Sequence, residues 1–63
     1  MPFANIKMLE GRSVEQIEAM IHEVTEAIHR TLGAPVETVR VVVEEVPKTH
    51  WGIGGKTAKK LGR

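Results

Sequence analysis

Ser13-Val14-Glu15-Gln16-Ile17-Glu18-Ala19-Met20-Ile21-His22-Glu23-Val24-Thr25-Glu26-Ala27-Ile28-His29-Arg30-Thr31-Leu32-Gly33 carries a full set of helix signals in one run. Ser13 with Gln16 three residues later is a capping-box pair, in which the hydroxyl accepts from the Gln16 N–H and the Gln16 side chain reaches back. Ile17, Met20, Ile21, Val24, Ala27 and Ile28, then Thr31 and Leu32, recur at three-and-four spacing and form one apolar stripe. Glu15, Glu18, Glu23, Glu26 and Arg30 fall largely on the other side. Gly33 supplies a left-handed C-terminal cap and Pro35 blocks continuation. The spacing predicts a helix over 14–32.

The segments on either side alternate instead. Ala4, Ile6 and Met8 point one way and Phe3, Asn5, Lys7 and Leu9 the other, which predicts a strand over 2–8 with one buried face. Pro2 suits its first position, where a missing N–H breaks no ladder, and Glu10-Gly11-Arg12 makes the turn. Beyond the short connection Pro35-Val36-Glu37-Thr38, residues 39–46 are β-branched enough for a second strand. There Val39, Val41 and Val43 share one face and Arg40, Val42 and Glu44 the other. Strand, helix and strand over this length predict an α/β fold, a βαβ unit with two parallel strands and a right-handed crossover. After Pro47, three glycines in the four residues 52–55 predict a small C-terminal hairpin. The whole chain, 1–63, is expected to be a single domain.

A chain of 63 residues buries only roughly 60% of the surface its unfolded form exposes. Small domains compensate with disulfides, metals or association, and the absence of cysteine excludes disulfides and thiolate zinc sites. Association is the route left. One helix covers one face of the sheet, so the face with Val42, and with Phe3 or Leu9, needs another copy of the chain.

A net charge of +1 gives no general pull towards nucleic acid or a membrane surface. Lys56, Lys59, Lys60 and Arg63 crowd the last eight residues, but no aromatic platform or recognition helix accompanies them, and they read as a solvated end. The start lacks a basic segment followed by a long apolar run, and nothing approaches a span of about 20 apolar residues. Neither nucleic acid nor membrane is expected as a partner, and the expected location is the cytoplasm.

Several chemistries are excluded by inventory. Gly55-Lys56-Thr57 invites comparison with a phosphate-cradling loop, but the leading glycine would fall at His50 and the flanking strand and helix are missing. His22 and His29 stand seven apart on the helix, about 10.5 Å along its axis, too far to share one metal ion within a subunit. The chain has no aspartate, and its one serine is the helix cap, so a Ser-His-Asp hydrolase is excluded.

What remains lies near the strand ends. Removal of Met1 would turn Pro2 into a secondary amine, both base and nucleophile; with Met1 in place the same nitrogen is a non-basic amide. Arg12 follows the first strand and Arg40 lies near the start of the second, and their guanidinium forks suit carboxylates, in an ion pair or in a binding site. Trp51, the only tryptophan, sits on a glycine-rich arm too short to bury it, which favours a subunit contact or a pocket wall beside plain packing.

Pro2, the run Leu9-Glu10-Gly11-Arg12-Ser13, the glutamate-rich helix ending before Ala34-Pro35, Val39-Arg40-Val41, and Trp51-Gly52-Ile53-Gly54-Gly55 together resemble the 4-oxalocrotonate tautomerase family, over essentially the whole chain. The resemblance implies βαβ subunits that pair into four-stranded dimers and assemble as a trimer of dimers, a homohexamer. It also implies a proton shuttle that needs no cofactor and no metal. The Pro2 amine would take a proton from the 2-hydroxyl of a small dicarboxylate dienol, such as 2-hydroxymuconate from aromatic degradation, and return one to a carbon further along the conjugated chain. A base works best with a pKa near the working pH, and desolvation beside cations moves an ammonium in that direction.

By the same resemblance Arg12 holds the distal carboxylate and draws electron density towards it. Arg40 binds the carboxylate and oxygen at the 2-position, where preorganised donors stabilise developing charge. The two arginines would come from neighbouring subunits, and the backbone of Leu9 would add a hydrogen bond to the substrate. Trp51 stands where the family archetype has phenylalanine, as an apolar wall, so pocket size and substrate preference are open. Two other readings keep most of this frame. A dehalogenase or hydratase relative would use an additional carboxylate to activate water, and residues 49–55 offer none. A non-catalytic oligomeric binding protein would follow from retention of Met1, or from a true ligand that is not an enol.

Overall fold

The capping residues behave as their spacing predicts in the computed structural model, which describes all residues from Met1 to Arg63. Ser13 Oγ accepts from the Gln16 N–H at 3.1 Å, and Gln16 Oε1 accepts from the Ser13 N–H at 3.0 Å. Helix α1 accordingly spans Val14–Leu32. At its other end Gly33 takes φ 72°, the left-handed cap, and donates to the His29 carbonyl at 3.0 Å. His29 Nδ1–H donates to the Ala34 carbonyl at 2.6 Å and fastens the chain as it leaves the helix.

Strands β1 (Phe3–Leu9) and β2 (Arg40–Val46) pair in parallel, from Phe3 opposite Arg40 to Leu9 opposite Val46. This is the expected βαβ unit. The strand limits move by about one residue for local reasons. Pro2 has no N–H to give and joins only through its carbonyl, which accepts from the Arg40 N–H at 3.0 Å. Val39 is taken by the preceding 3-10 turn, Val36–Thr38, closing it with a 3.1 Å bond to the Val36 carbonyl.

Ala4, Ile6 and Met8 of β1 and Val41 and Val43 of β2 are half-buried on the helix side, as are Ile17, Met20, Ile21, Val24, Ala27 and Ile28 of α1. The apolar stripe stops one turn short of expectation, leaving Thr31 exposed and Leu32 69% exposed. The lengths explain it. Nineteen helical residues rise about 28 Å whereas seven strand residues cover about 20 Å, so the last helical turn overhangs the sheet.

A second 3-10 turn, Lys48–His50, leads into an antiparallel hairpin of β3 (Gly52–Ile53) and β4 (Lys56–Thr57). Gly54 and Gly55 form its two-residue loop with φ 60° and 88°, the positive values that the mirror-image hairpin turns require.

Only Val39 and Ala58 are buried in the isolated subunit. The radius of gyration is 14.6 Å, against about 10.6 Å for a compact domain of this length. The accessible surface is 4735 Å², against about 4,000 Å² for a folded monomer of this mass. On the sheet face away from α1, Phe3 is 65% and Val42 39% exposed. Beside them Lys7 Nζ meets Glu44 Oε2 at 2.6 Å, and Asn5 Nδ2 donates to Glu44 Oε1 at 3.4 Å. The Lys7 hydrogen bond, then that of Asn5, then the Lys7 charge hold the Glu44 carboxyl below its ordinary range. No helix is long and apolar enough to cross a membrane.

Candidate active site

The parallel register sorts the sequence-derived site residues into two groups. Pro2 and Arg40 share one end of the sheet, joined by the 3.0 Å bond from the Arg40 N–H to the Pro2 carbonyl. Pro2 is half-buried and the attached Met1 is 85% exposed. The Arg40 guanidinium is held by main-chain oxygens, with Nη1 donating to the Glu37 carbonyl at 2.8 Å and to that of Val39 at 3.3 Å. Those bonds orient the fork and leave its positive charge without a carboxylate partner.

Leu9, Arg12 and Trp51 belong to the opposite end. Leu9 and Arg12 line one cleft of about 390 Å³ together with Met8, Glu10, Gly11, Lys48 and Arg63. Arg12 also borders a smaller apolar notch of about 210 Å³ formed with Met8, Gln16, Ile17 and Met20. Gly11, at φ 122°, is the turn that brings Arg12 round from β1. Trp51 follows the Lys48–His50 turn, half-buried, with its carbonyl accepting from the Ala58 N–H at 2.8 Å.

Between the two groups lies the length of β1, about 20 Å at strand rise. No six-carbon diacid spans that distance, so one subunit does not gather Pro2, Arg40 and Arg12 around one molecule. A second copy, set with one end of its sheet against the opposite end of the first, would bring them together.

The sequence reading did not single out Lys48 and Arg63 as neighbours of Arg12. Lys56, Lys59, Lys60 and Arg63 are all exposed, as expected of a solvated end, and of these only Arg63 lines the cleft. The available signal was Gly62 behind Thr57-Ala58-Lys59-Lys60-Leu61, a glycine one position past a potential helical turn.

The family model described as tautomerase enzyme matches residues 2–61. The chain belongs to the tautomerase family. A 2-hydroxymuconate tautomerase of Stutzerimonas stutzeri is 59% identical over 63 residues, covering 100% of both chains. Among solved structures, a 4-oxalocrotonate tautomerase isozyme from Methylibium petroleiphilum superposes with a TM-score of 0.94 at 55% identity, covering 98% of this chain and 100% of its own. A heterohexameric 4-oxalocrotonate tautomerase from Chloroflexus aurantiacus J-10-fl gives 0.92 at 38% identity, covering 97% and 98%. The two solved relatives share the fold of this βαβ-plus-hairpin subunit, and the last is itself an oligomer.

Proposed function

We propose that this protein is a cofactor-independent enol–keto tautomerase acting on 2-hydroxymuconate-like dienol diacids. The Pro2 amine, freed by removal of Met1, is the general base that takes the proton of the 2-hydroxyl and returns one to the carbon skeleton. Arg40 binds the carboxylate and oxygen at the 2-position, and Arg12 of a neighbouring subunit binds the distal carboxylate. The Leu9 backbone adds a hydrogen bond, and Trp51 is an apolar wall that keeps water from the reacting atoms. The working unit is a homohexamer, a trimer of dimers, in the cytoplasm.

The observation that carries this reading is the end-to-end likeness to a 2-hydroxymuconate tautomerase, with the family match opening at Pro2. The geometry supports it in two ways. Pro2 and Arg40 are hydrogen-bonded neighbours at one sheet end, and the Arg40 fork is oriented by main-chain carbonyls while its charge stays available to an anion. Anchoring a donor before substrate arrives is what electrostatic stabilisation requires.

The test is the rate of 2-hydroxymuconate ketonisation, followed by ultraviolet absorbance at neutral pH, for Met1-free wild type and for Pro2→Ala. General-base catalysis contributes roughly 10²–10⁴-fold, and the variant should lose an amount in that range. Full activity in Pro2→Ala refutes the assignment of the base.

A further inference from the structure

The segment that joins α1 to β2 is held at more points than a plain connection requires. Helix α1 closes with the Gly33 N–H donating to the His29 carbonyl at 3.0 Å. The His29 side chain takes the next residue, its Nδ1 lying 2.6 Å from the Ala34 carbonyl oxygen. A carbonyl only accepts, so the proton sits on Nδ1 and the ring is fixed in orientation. Main chain and side chain of one residue thus hold two consecutive residues of the helix exit. Pro35 follows at φ −58°, a value its ring enforces. Its carbonyl accepts twice from Thr38, from the N–H at 2.9 Å and from Oγ1 at 2.7 Å. The Val39 N–H then donates to the Val36 carbonyl at 3.1 Å.

These bonds occupy the carbonyls of Ala34, Pro35 and Val36 in succession. The next carbonyl, that of Glu37, has a different partner: it accepts from Arg40 Nη1 at 2.8 Å. The carbonyl of Val39, one of the two buried residues, accepts from the same nitrogen at 3.3 Å. The Arg40 main chain is pinned separately, by its N–H on the Pro2 carbonyl. The backbone of Arg40 is therefore placed by β1, its guanidinium by the turn over 36–38, and the upstream end of that turn by His29. An exposed arginine otherwise keeps a rotamer freedom that binding an anion would cost it.

We propose that His29 and Thr38 are positioning residues for Arg40, holding the 34–38 connection so that the Glu37 carbonyl fixes the guanidinium in one orientation before substrate arrives. The proposal rests on the tautomerase reading for the use made of that orientation, and deepens it with two residues that it places away from the substrate. Neither hydrogen-bonds to Arg40; both act through the Glu37 carbonyl. A donor oriented in advance needs no reorganisation at the moment charge develops on the substrate oxygen.

The test is NMR of the assembled protein with nitrogen-15-labelled arginine, reading the rate of rotation about the Arg40 Nε–Cζ bond, its signal assigned by its loss in Arg40→Lys. Rotation should be slower for Arg40 than for the exposed Arg30. His29→Leu keeps bulk without a donor, and Thr38→Val is the isostere without the hydroxyl; each should speed rotation about 2- to 10-fold, the scale of one hydrogen bond. His29→Asn, whose side-chain amide reaches where Nδ1 does, and Thr38→Ser should keep the slow rate. The kcat/KM for 2-hydroxymuconate should fall by a similar factor in the Leu and Val variants and recover in the Asn and Ser variants. In an Arg40→Gln background His29→Leu should cost nothing further, which a general loss of stability would not produce. Wild-type Arg40 rotating as freely as Arg30, rotation unchanged in His29→Leu and Thr38→Val, or losses that Asn and Ser fail to recover overturns the proposal. The rotation rate involves no turnover, so a wild type inert to 2-hydroxymuconate would defeat the tautomerase reading and leave the rotation rates to decide this one.

Discussion

Truncating Phe3 should weaken association of the subunits by an amount that follows from its exposure. Phe3 lies on the sheet face that α1 does not cover and is 65% exposed in the single chain. Full burial of a phenylalanine side chain is worth about 1.5–3 kcal/mol, so covering the exposed part with a second copy contributes about 1–2 kcal/mol per subunit. Phe3→Ala should then raise the dissociation constant about 5- to 30-fold for each subunit added. Sedimentation velocity across a dilution series measures this directly, with circular dichroism on the same samples. Since only Val39 and Ala58 are buried without a partner, dissociation and unfolding should coincide, and the thermal midpoint should fall on dilution for both proteins. Unchanged dissociation in Phe3→Ala, or a dilute wild-type monomer with full helix content, would refute the claim that this face is completed by another copy.

Two further outcomes follow from the ion pair and from the separation of the site residues. Glu44 has its pKa lowered by the Lys7 and Asn5 hydrogen bonds and the Lys7 charge; the stability it contributes is therefore present above its unfolded-state pKa and lost as pH falls through the lower folded value. Acid titration of the thermal midpoint should show a loss on that limb which Glu44→Gln lacks and added salt diminishes; identical limbs in the two proteins would contradict it. Pro2→Ala and Arg12→Gln should each be poorly active alone, yet refolding them together should restore about a quarter of the wild-type sites, since random mixing puts an intact Pro2 against an intact Arg12 at that frequency. No recovery in co-assembled particles would mean that both residues serve the site from one chain.

The βαβ unit was legible because each of its signals is local. Ser13 with Gln16, the apolar stripe from Ile17 to Ile28, and Gly33 depend only on neighbours along the chain, and they define α1 to the residue. The strand limits were less sharp because they depend on partners. Val39 has a strand residue's side chain, yet its N–H closes the turn at Val36, and Leu9 joins β1 because Val46 stands opposite it. The overhang of Leu32 is a comparison of two element lengths and is invisible to periodicity. Tertiary placement was the least legible part. Lys48 and Arg63 are fifteen positions apart and meet near Arg12 only because Gly62 turns the tail back through bonds to Lys59 and Ala58.

The incomplete core and the divided site have one physical origin. A subunit with a single crossover helix has one uncovered sheet face, and a parallel pair of strands sends Pro2 and Arg40 to one end and Leu9 and Arg12 to the other. A closed symmetric assembly resolves both, because each copy presents every surface once and each end of one sheet can meet the opposite end of another. In the proposed assembly every subunit would supply Pro2 and Arg12 to different sites, and the number of sites would equal the number of subunits. In so short a chain the distance between the proposed base and the proposed distal-carboxylate arginine would be set by an interface. Assembly and catalysis should accordingly fail together: along the Phe3→Ala dilution series, activity per subunit should fall at the concentration where mass does, and activity persisting in a resolved monomer would separate the two.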